Sequence, residues 1–276
     1  MTSKIGASMS KQASSELHYD VHRGDGPYVL MVHGFLSSRA QWMLNLDALA
    51  AVGRPVVVEL FGHGRSPSPD DVDAYTPDGY AREFERIRET LGVERWFVIG
   101  QSLGAALTLR YVLDYPERVI AHVFTNSQSA LAEDGWEERV RAGMEAQRKA
   151  LEADGAQAIA AHPLNPARAS RLPADARDAL TRDTRLHDPH GIAMTGLHTV
   201  PGSSVRGRVG ENSVPALLTV GEREQRFAPY RAFAEASMPL LECIGLDAGH
   251  AVNIEAAEAW NRAVVAFLRR HAPKTL

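Results

Sequence analysis

Gly100-Gln101-Ser102-Leu103-Gly104 fits the pattern G-x-S-x-G, whose spacing serves a sharp turn from a strand into a helix. The glycines let the chain pass closely, while the serine is held in a strained backbone conformation that pushes its hydroxyl outward. The pentapeptide alone is a weak signal, since at ordinary Gly and Ser frequencies it arises by chance in roughly one chain in ten of this length. Its surroundings select it. Trp96 to Ile99 reads as a short strand and Leu103 to Tyr115 as a small-residue helix, which is the context the turn requires. Ser102 is therefore the candidate nucleophile.

A serine hydroxyl attacks only when a base takes its proton, and the base needs an orienting group. Of the eleven histidines, His250 stands in Asp247-Ala248-Gly249-His250, after a strand and before the closing helix. A loop there reaches the same sheet edge as Ser102. The chain order Ser, acid, His places the third member after the strand ending at Val220, in Gly221-Glu222-Arg223-Glu224-Gln225-Arg226-Phe227. Glu224 is the first choice, with Glu222 and Asp247 as alternatives. A developing oxyanion needs donors, each worth about 2.7–4 kcal/mol of transition-state stabilisation. His33-Gly34-Phe35-Leu36 follows the strand Tyr28 to Val32, so the Phe35 and Leu103 amides form the natural pair. Gly34 lets the Phe35 amide turn toward the nucleophile, and His33 is expected to hydrogen-bond the loop.

These loops need a sheet to carry them. Leu17 to His22, Tyr28 to Val32, Arg54 to Leu60, Arg95 to Ile99, Val119 to Thr125, Val214 to Val220 and Leu240 to Leu246 are short β-branched and apolar runs. Between them lies a helix starting at Thr76-Pro77, a cap and first-position pair, with Tyr80, Phe84, Ile87 and Leu91 on one face. Trp260, Val264, Phe267 and Leu268 share a face of the closing helix. Strand and helix alternate, which predicts an α/β fold with a mostly parallel sheet flanked by helices. Strand character stops after Thr125 and restarts at Val214. The expected organisation is a flexible start over 1–15, a core of 16–127 and 213–276, and a helical cap over 128–212. In that cap Trp136, Val140, Met144 and Leu151 form a stripe and Asp188-Pro189 starts another helix. His33, Gly34 and Gln101 from the core, with Trp136 and Met144 from the cap, are the candidate substrate-binding residues; Ile192 and Met194 are alternatives within the cap.

The composition sets the outer limits. The chain has 276 residues, 45% hydrophobic and 23% charged, 30 Lys and Arg against 34 Asp and Glu, and one Cys. That is ordinary globular composition, without the basic footprint of a nucleic-acid binder and without an apolar run long enough for a membrane span. Cys243 in Leu240-Leu241-Glu242-Cys243-Ile244 reads as a small core hydrophobe, and the chain is expected in the cytoplasm. Gly62-His63-Gly64-Arg65-Ser66 lacks the G-x-x-x-x-G-K of a phosphate loop. His187-Asp188-Pro189-His190 lacks an evident acidic third metal ligand and is broken by its proline. No cofactor or metal is expected, the partner is a small-molecule substrate, and homo-oligomerisation is left open.

The motifs together resemble the α/β-hydrolase superfamily from about Tyr28 to Leu268: H-G-F at His33 to Phe35, G-H-G-R-S at Gly62 to Ser66, G-Q-S-L-G around Ser102, Y-P-E-R-V at Tyr115 to Val119, and Gly249-His250. The resemblance implies Ser102 as nucleophile, His250 as base and Glu224 as acid. Ser102 excludes the haloalkane dehalogenase branch, which needs Asp there. G-F-L-S-S-x-x-x-W at Gly34 to Trp42 and G-E-R-E-x-x-F at Gly221 to Phe227 are similar to the menaquinone-pathway synthase subgroup that makes succinyl-hydroxycyclohexadiene carboxylate. That subgroup usually has Asp at position 224 and Tyr at 101, where this chain has Glu and Gln. The expected function is a serine hydrolase acting on a small ester, lactone or ketone-activated C–C bond, with a lyase on the same residues or a non-catalytic small-molecule receptor as alternatives.

Overall fold

The computed structural model describes residues 15–273; of the flexible start expected over 1–15, all but Ser15 lies outside the described residues. Among these residues seven strands form one sheet: β1 (Tyr19–Val21), β2 (Tyr28–Val32), β3 (Arg54–Val58), β4 (Trp96–Gly100), β5 (Val119–Thr125), β6 (Ala216–Gly221) and β7 (Leu241–Leu246). Their spatial order is β1-β3-β2-β4-β5-β6-β7. β1 runs antiparallel to β3 and every other neighbour pair is parallel. The run beginning at Arg54 leaves the sheet at Val58, two residues before its apolar character ends, because the Leu60 amide bonds the His33 ring instead of a strand.

The helices are α1 (Leu46–Ala50), α2 (Pro77–Thr90), α3 (Leu103–Asp114), α4 (Trp136–Asp154), α5 (Ala156–Ala161), α6 (Ala174–Asp183), α7 (Pro189–Met194), α8 (Ala228–Ser237), α9 (Val252–Glu255) and α10 (Ala257–His271). Side chains alternate across a strand, so the central strands feed two cores. Leu30, Val32, Val56 and Val98 pack with Tyr80, Phe84 and Ile87 of α2 and Leu107 and Tyr111 of α3. Val29, Met31, Val57 and Phe97 face Trp42 and the Trp260, Val264 and Phe267 stripe of α10. Each such side chain, buried fully, contributes about 1.5–3 kcal/mol. α2 begins as its residues dictate: the Thr76 hydroxyl accepts the Gly79 N–H and Pro77 occupies the first turn. α7 does the same with Asp188 and Pro189.

β2 has β3 on one side and β4 on the other, so the winding direction reverses between β2 and β4. In open α/β sheets ligands bind outside the carboxyl ends of the strands at such a reversal. Between β5 and β6 the chain runs through α4 to α7 and short 3₁₀ turns, with no strand among the described residues. It is tied to the core where Asp188 N–H donates to Gly62 O and the Ser38 hydroxyl donates to Asp183. No described helix is long and apolar enough to cross a membrane. Cys243 is half-buried on β7, and burial together with the neighbouring Glu235 pushes its thiol up to about 12.

His122 on β5 is fully buried, stacked on Phe124 and hydrogen-bonded to the Thr108 hydroxyl, and burial lowers its pKa to about 3. A buried neutral imidazole takes up its proton only on unfolding. Its stabilising share is complete above the unfolded value near 6.5 and is lost as pH falls below it, at up to about 1.4 kcal/mol per pH unit. His122→Leu should therefore flatten the loss of stability between about pH 6.5 and pH 4, measured by urea unfolding; an unchanged slope would contradict the assignment.

Candidate active site

Ser102 follows β4 at φ 54° and ψ −117°, a left-handed backbone that costs a non-glycine residue about 1–3 kcal/mol. The turn is held by close approach: a Cβ at Gly104 would stand 2.2 Å from Val32 O, and one at Gly34 would stand 2.9 Å from the Ser102 Cβ. The hydroxyl is thereby lifted off the end of the sheet. Its Oγ donates to His250 Nε2 at 2.8 Å, and His250 Nδ1–H donates to Glu224 Oε2 at 2.8 Å. The His250 side chain is 43% exposed and the Glu224 side chain only 6%, so the imidazole is open to a ligand while the carboxylate is enclosed.

Burial alone would raise the Glu224 pKa. The His250 hydrogen bond and charge, the Asn126 amide and Arg226 outweigh it and hold the carboxyl at about 2. Asn126 Nδ2 donates to Oε2 at 2.8 Å while its own Oδ1 accepts the Gly221 N–H, and Arg226 donates to Oε1 at 2.9 Å. Neither alternative acid reaches the ring. Asp247 is paired with Arg223 at 2.6 Å at the surface, and Glu222 is exposed beside Gly245. Sequence reasoning missed Asn126. The available signal was its place one residue beyond β5, beside the strand that carries Glu224.

The loop after β2 is fixed by histidines that do not touch the open site. His33 Nδ1–H donates to Gly34 O and its Nε2 accepts the Leu60 N–H. His63 Nδ1–H donates to Phe61 O and its Nε2 accepts the N–H of Leu36, itself at φ 55°. His187, next to α7, accepts the Gly64 N–H. Burial holds all three imidazoles neutral, His33 and His187 at about 4 and His63 well below its ordinary value. This scaffold sets the backbone around Phe35 opposite the first turn of α3, where Leu103 carries one of the amides that a helix start leaves without an intrahelical acceptor. His190 pairs with Asp70, and no group of three His, Cys, Asp or Glu placed for a metal occurs among the described residues.

Ser102 and His250 open into a cavity of about 450 Å³ whose core side includes Phe35, Leu36 and Gln101. Its other wall is the stretch Pro163 to Leu172 between α5 and α6, with Arg168 and Arg171, together with Leu180 of α6. Trp136 and Met144, expected to contact substrate, are not on this cavity. Trp136 Nε1 donates to Val200 O, and Met144 Sδ lies against Gly196. Their stripe holds α4 to the neighbouring turns, whereas the wall of this cavity is an irregular segment without the periodicity that marks a helix face. His33 and Gly34 lie behind the loop, and Gln101 is the member of the expected binding set that lines the cavity.

Residues 27–257 match the alpha/beta hydrolase fold family model. The chain belongs to the α/β-hydrolase fold family. It is an enzyme of that type, and it is also similar to a narrower group. A putative 2-succinyl-6-hydroxy-2,4-cyclohexadiene-1-carboxylate synthase of Bacillus subtilis (strain 168) is 29% identical over 249 residues, covering 87% of this chain and 89% of that protein. The structure of MenH from S. aureus superposes with a TM-score of 0.82 at 19% identity, covering 92% of this chain and 98% of that one. The enol-lactonase from Burkholderia xenovorans LB400 does so at 0.75 and 22% identity, covering 92% and 96%. These two likenesses show the shared α/β-hydrolase fold.

The depressed Glu224 carboxyl carries a sign. Its folded pKa lies below the ordinary 4.5, so its stabilising share is present above that value and is lost as pH falls toward 2. The Tm gap between the parent and Glu224→Gln should be largest near neutral pH, narrow below about pH 4.5 and close only as pH approaches about 2. An equal gap at both ends would show that the carboxylate's charge is not what the site holds.

Proposed function

We propose that this α/β-hydrolase is a cofactor-independent serine hydrolase that cleaves a small ester, lactone or ketone-activated C–C bond through an acyl-enzyme on Ser102. The observation that carries the reading is the continuous chain of two 2.8 Å hydrogen bonds from Ser102 through His250 to Glu224. His250 Nε2 takes the hydroxyl proton as Oγ attacks the carbonyl carbon, and the Phe35 and Leu103 amides receive the oxyanion. His250 then returns the proton to the leaving group, and water attacks the ester in the second half-reaction with the same base. Glu224, held ionised, keeps Nδ1 protonated and so leaves Nε2 free to accept. Segment 128–212 acts as a cap whose stretch Pro163 to Leu172 forms the substrate wall.

A second reading is favoured by the Bacillus subtilis relative, which aligns over 87% of this chain and whose name is that of a synthase. In that reading Ser102 and His250 form a base for elimination, and no acyl-enzyme accumulates. Gln101 and Glu224, where that subgroup usually carries Tyr and Asp, favour the hydrolase.

A panel of p-nitrophenyl esters and lactones of graded acyl length separates the readings. The hydrolase shows a pre-steady-state burst of acyl-enzyme on its best substrate, and Ser102→Ala lowers turnover by several powers of ten. Full activity in Ser102→Ala would sink both readings; turnover of a succinyl-bearing substrate by elimination, with no burst on any ester, would select the lyase.

A further inference from the structure

α9 is a single turn directly behind His250, and Glu255 closes it. Helical side chains lean toward the N-terminus of their helix, and this carboxylate reaches back past its own turn. Oε2 accepts the Gly249 N–H at 2.8 Å and Oε1 accepts the Ala251 N–H at 3.3 Å. One side chain thus holds the amides on both sides of His250. The bonds are charge-assisted, roughly twice as strong as neutral ones, and the one to Ala251 satisfies the amide of the residue that caps α9. The position of Gly249 fits this grip, because a Cβ there would lie 2.9 Å from Glu255 Oε1 and 3.0 Å from the Arg171 guanidinium.

The other restraints on the loop act on its carbonyls and on Ala248, and none of them holds the Gly249 or Ala251 N–H. The Gln101 amide reaches His250 O at 3.4 Å, and the Arg223 N–H donates to Ala248 O at 2.9 Å. The ring itself is bonded only through Nδ1 and Nε2, to Glu224 and Ser102. Those two bonds align an imidazole that the backbone has already delivered to the right place. They cannot substitute for the delivery, since a displacement of about 1 Å is enough to cost on the order of a hundredfold in rate.

We propose that Glu255 is a positioning residue for His250, fixing the backbone on either side of the base. The inference rests on the hydrolase reading of the site. The test measures hydrolysis of the best p-nitrophenyl ester by Glu255→Ala, Glu255→Gln, His250→Ala and the His250→Ala/Glu255→Ala double variant. Glu255→Ala is expected to lower kcat roughly 10–100-fold with KM within about twofold of the parent. Glu255→Gln, which keeps one acceptor oxygen, recovers part of the loss. In the His250→Ala background the Glu255 substitution costs nothing further, because it acts only through the ring. A parent-like kcat in Glu255→Ala overturns the proposal, as does an equal fold-loss with and without His250. Where Glu255→Ala does not fold, Glu255→Gln with and without His250 decides by the same criterion. Failure of the underlying reading shows separately, as turnover that survives Ser102→Ala.

Discussion

The parallel pairing of β2 with β4, which sets Val32 opposite Gly100, is the constraint on which the rest of the site depends. It brings the ends of two strands far apart in sequence to the same edge. The loop carrying Phe35 and the turn carrying Ser102 must then share the space above the sheet, and they fit only through the close contacts of Gly34 and Gly104. The left-handed backbone of Ser102 is the local strain left by that crowding. It is sustained because β4, before it, is buried in both main cores and α3, after it, in the first.

From this edge the neighbouring parallel strands deliver the other members in order. β6 leads to Glu224 and β7 to His250, and Asn126 beyond β5 braces Glu224 by bonding both its carboxylate and the Gly221 N–H at the end of β6. Polar side chains at strand ends do the aligning, and the strands do the spacing. The same division holds around the loop that carries Phe35. His33 and His63 each join the loop after β2 to the loop after β3 by two main-chain hydrogen bonds, and burial keeps them neutral, so each ring remains both a donor and an acceptor. His187 extends this set into the segment between β5 and β6 through Gly64. The segment between β5 and β6 is therefore joined to the loop bearing Phe35 through these imidazoles.

Much of this was legible in the residues. The strand runs at Tyr28 and Val119, the Thr76-Pro77 and Asp188-Pro189 helix starts and the Trp260 to Leu268 stripe all carry strong local signals, and the structure has an element at each. The same local logic does not find the wall of the cavity beside Ser102. Trp136 and Met144 share a helical stripe with Leu151, and such a stripe records where a helix packs, whether or not a ligand lies there. The stretch from Pro163 to Leu172 has no period to read, since its residues are arranged by the elements around it.

The sequence by itself determined the alternating α/β order, the serine turn and the histidine that follows the last strand, because turn sterics and side-chain periodicity act over a few residues. Only the tertiary structure shows which of Glu222, Glu224 and Asp247 bonds the His250 ring, because the first two share the loop after β6 and the third lies in the loop after β7. What separates them is direction: Glu224 turns inward to Asn126 and His250, while Asp247 is drawn outward by Arg223. It also decided that Glu255 folds back onto the amides on either side of His250, since main-chain amides leave no mark in a sequence until a fold aims them.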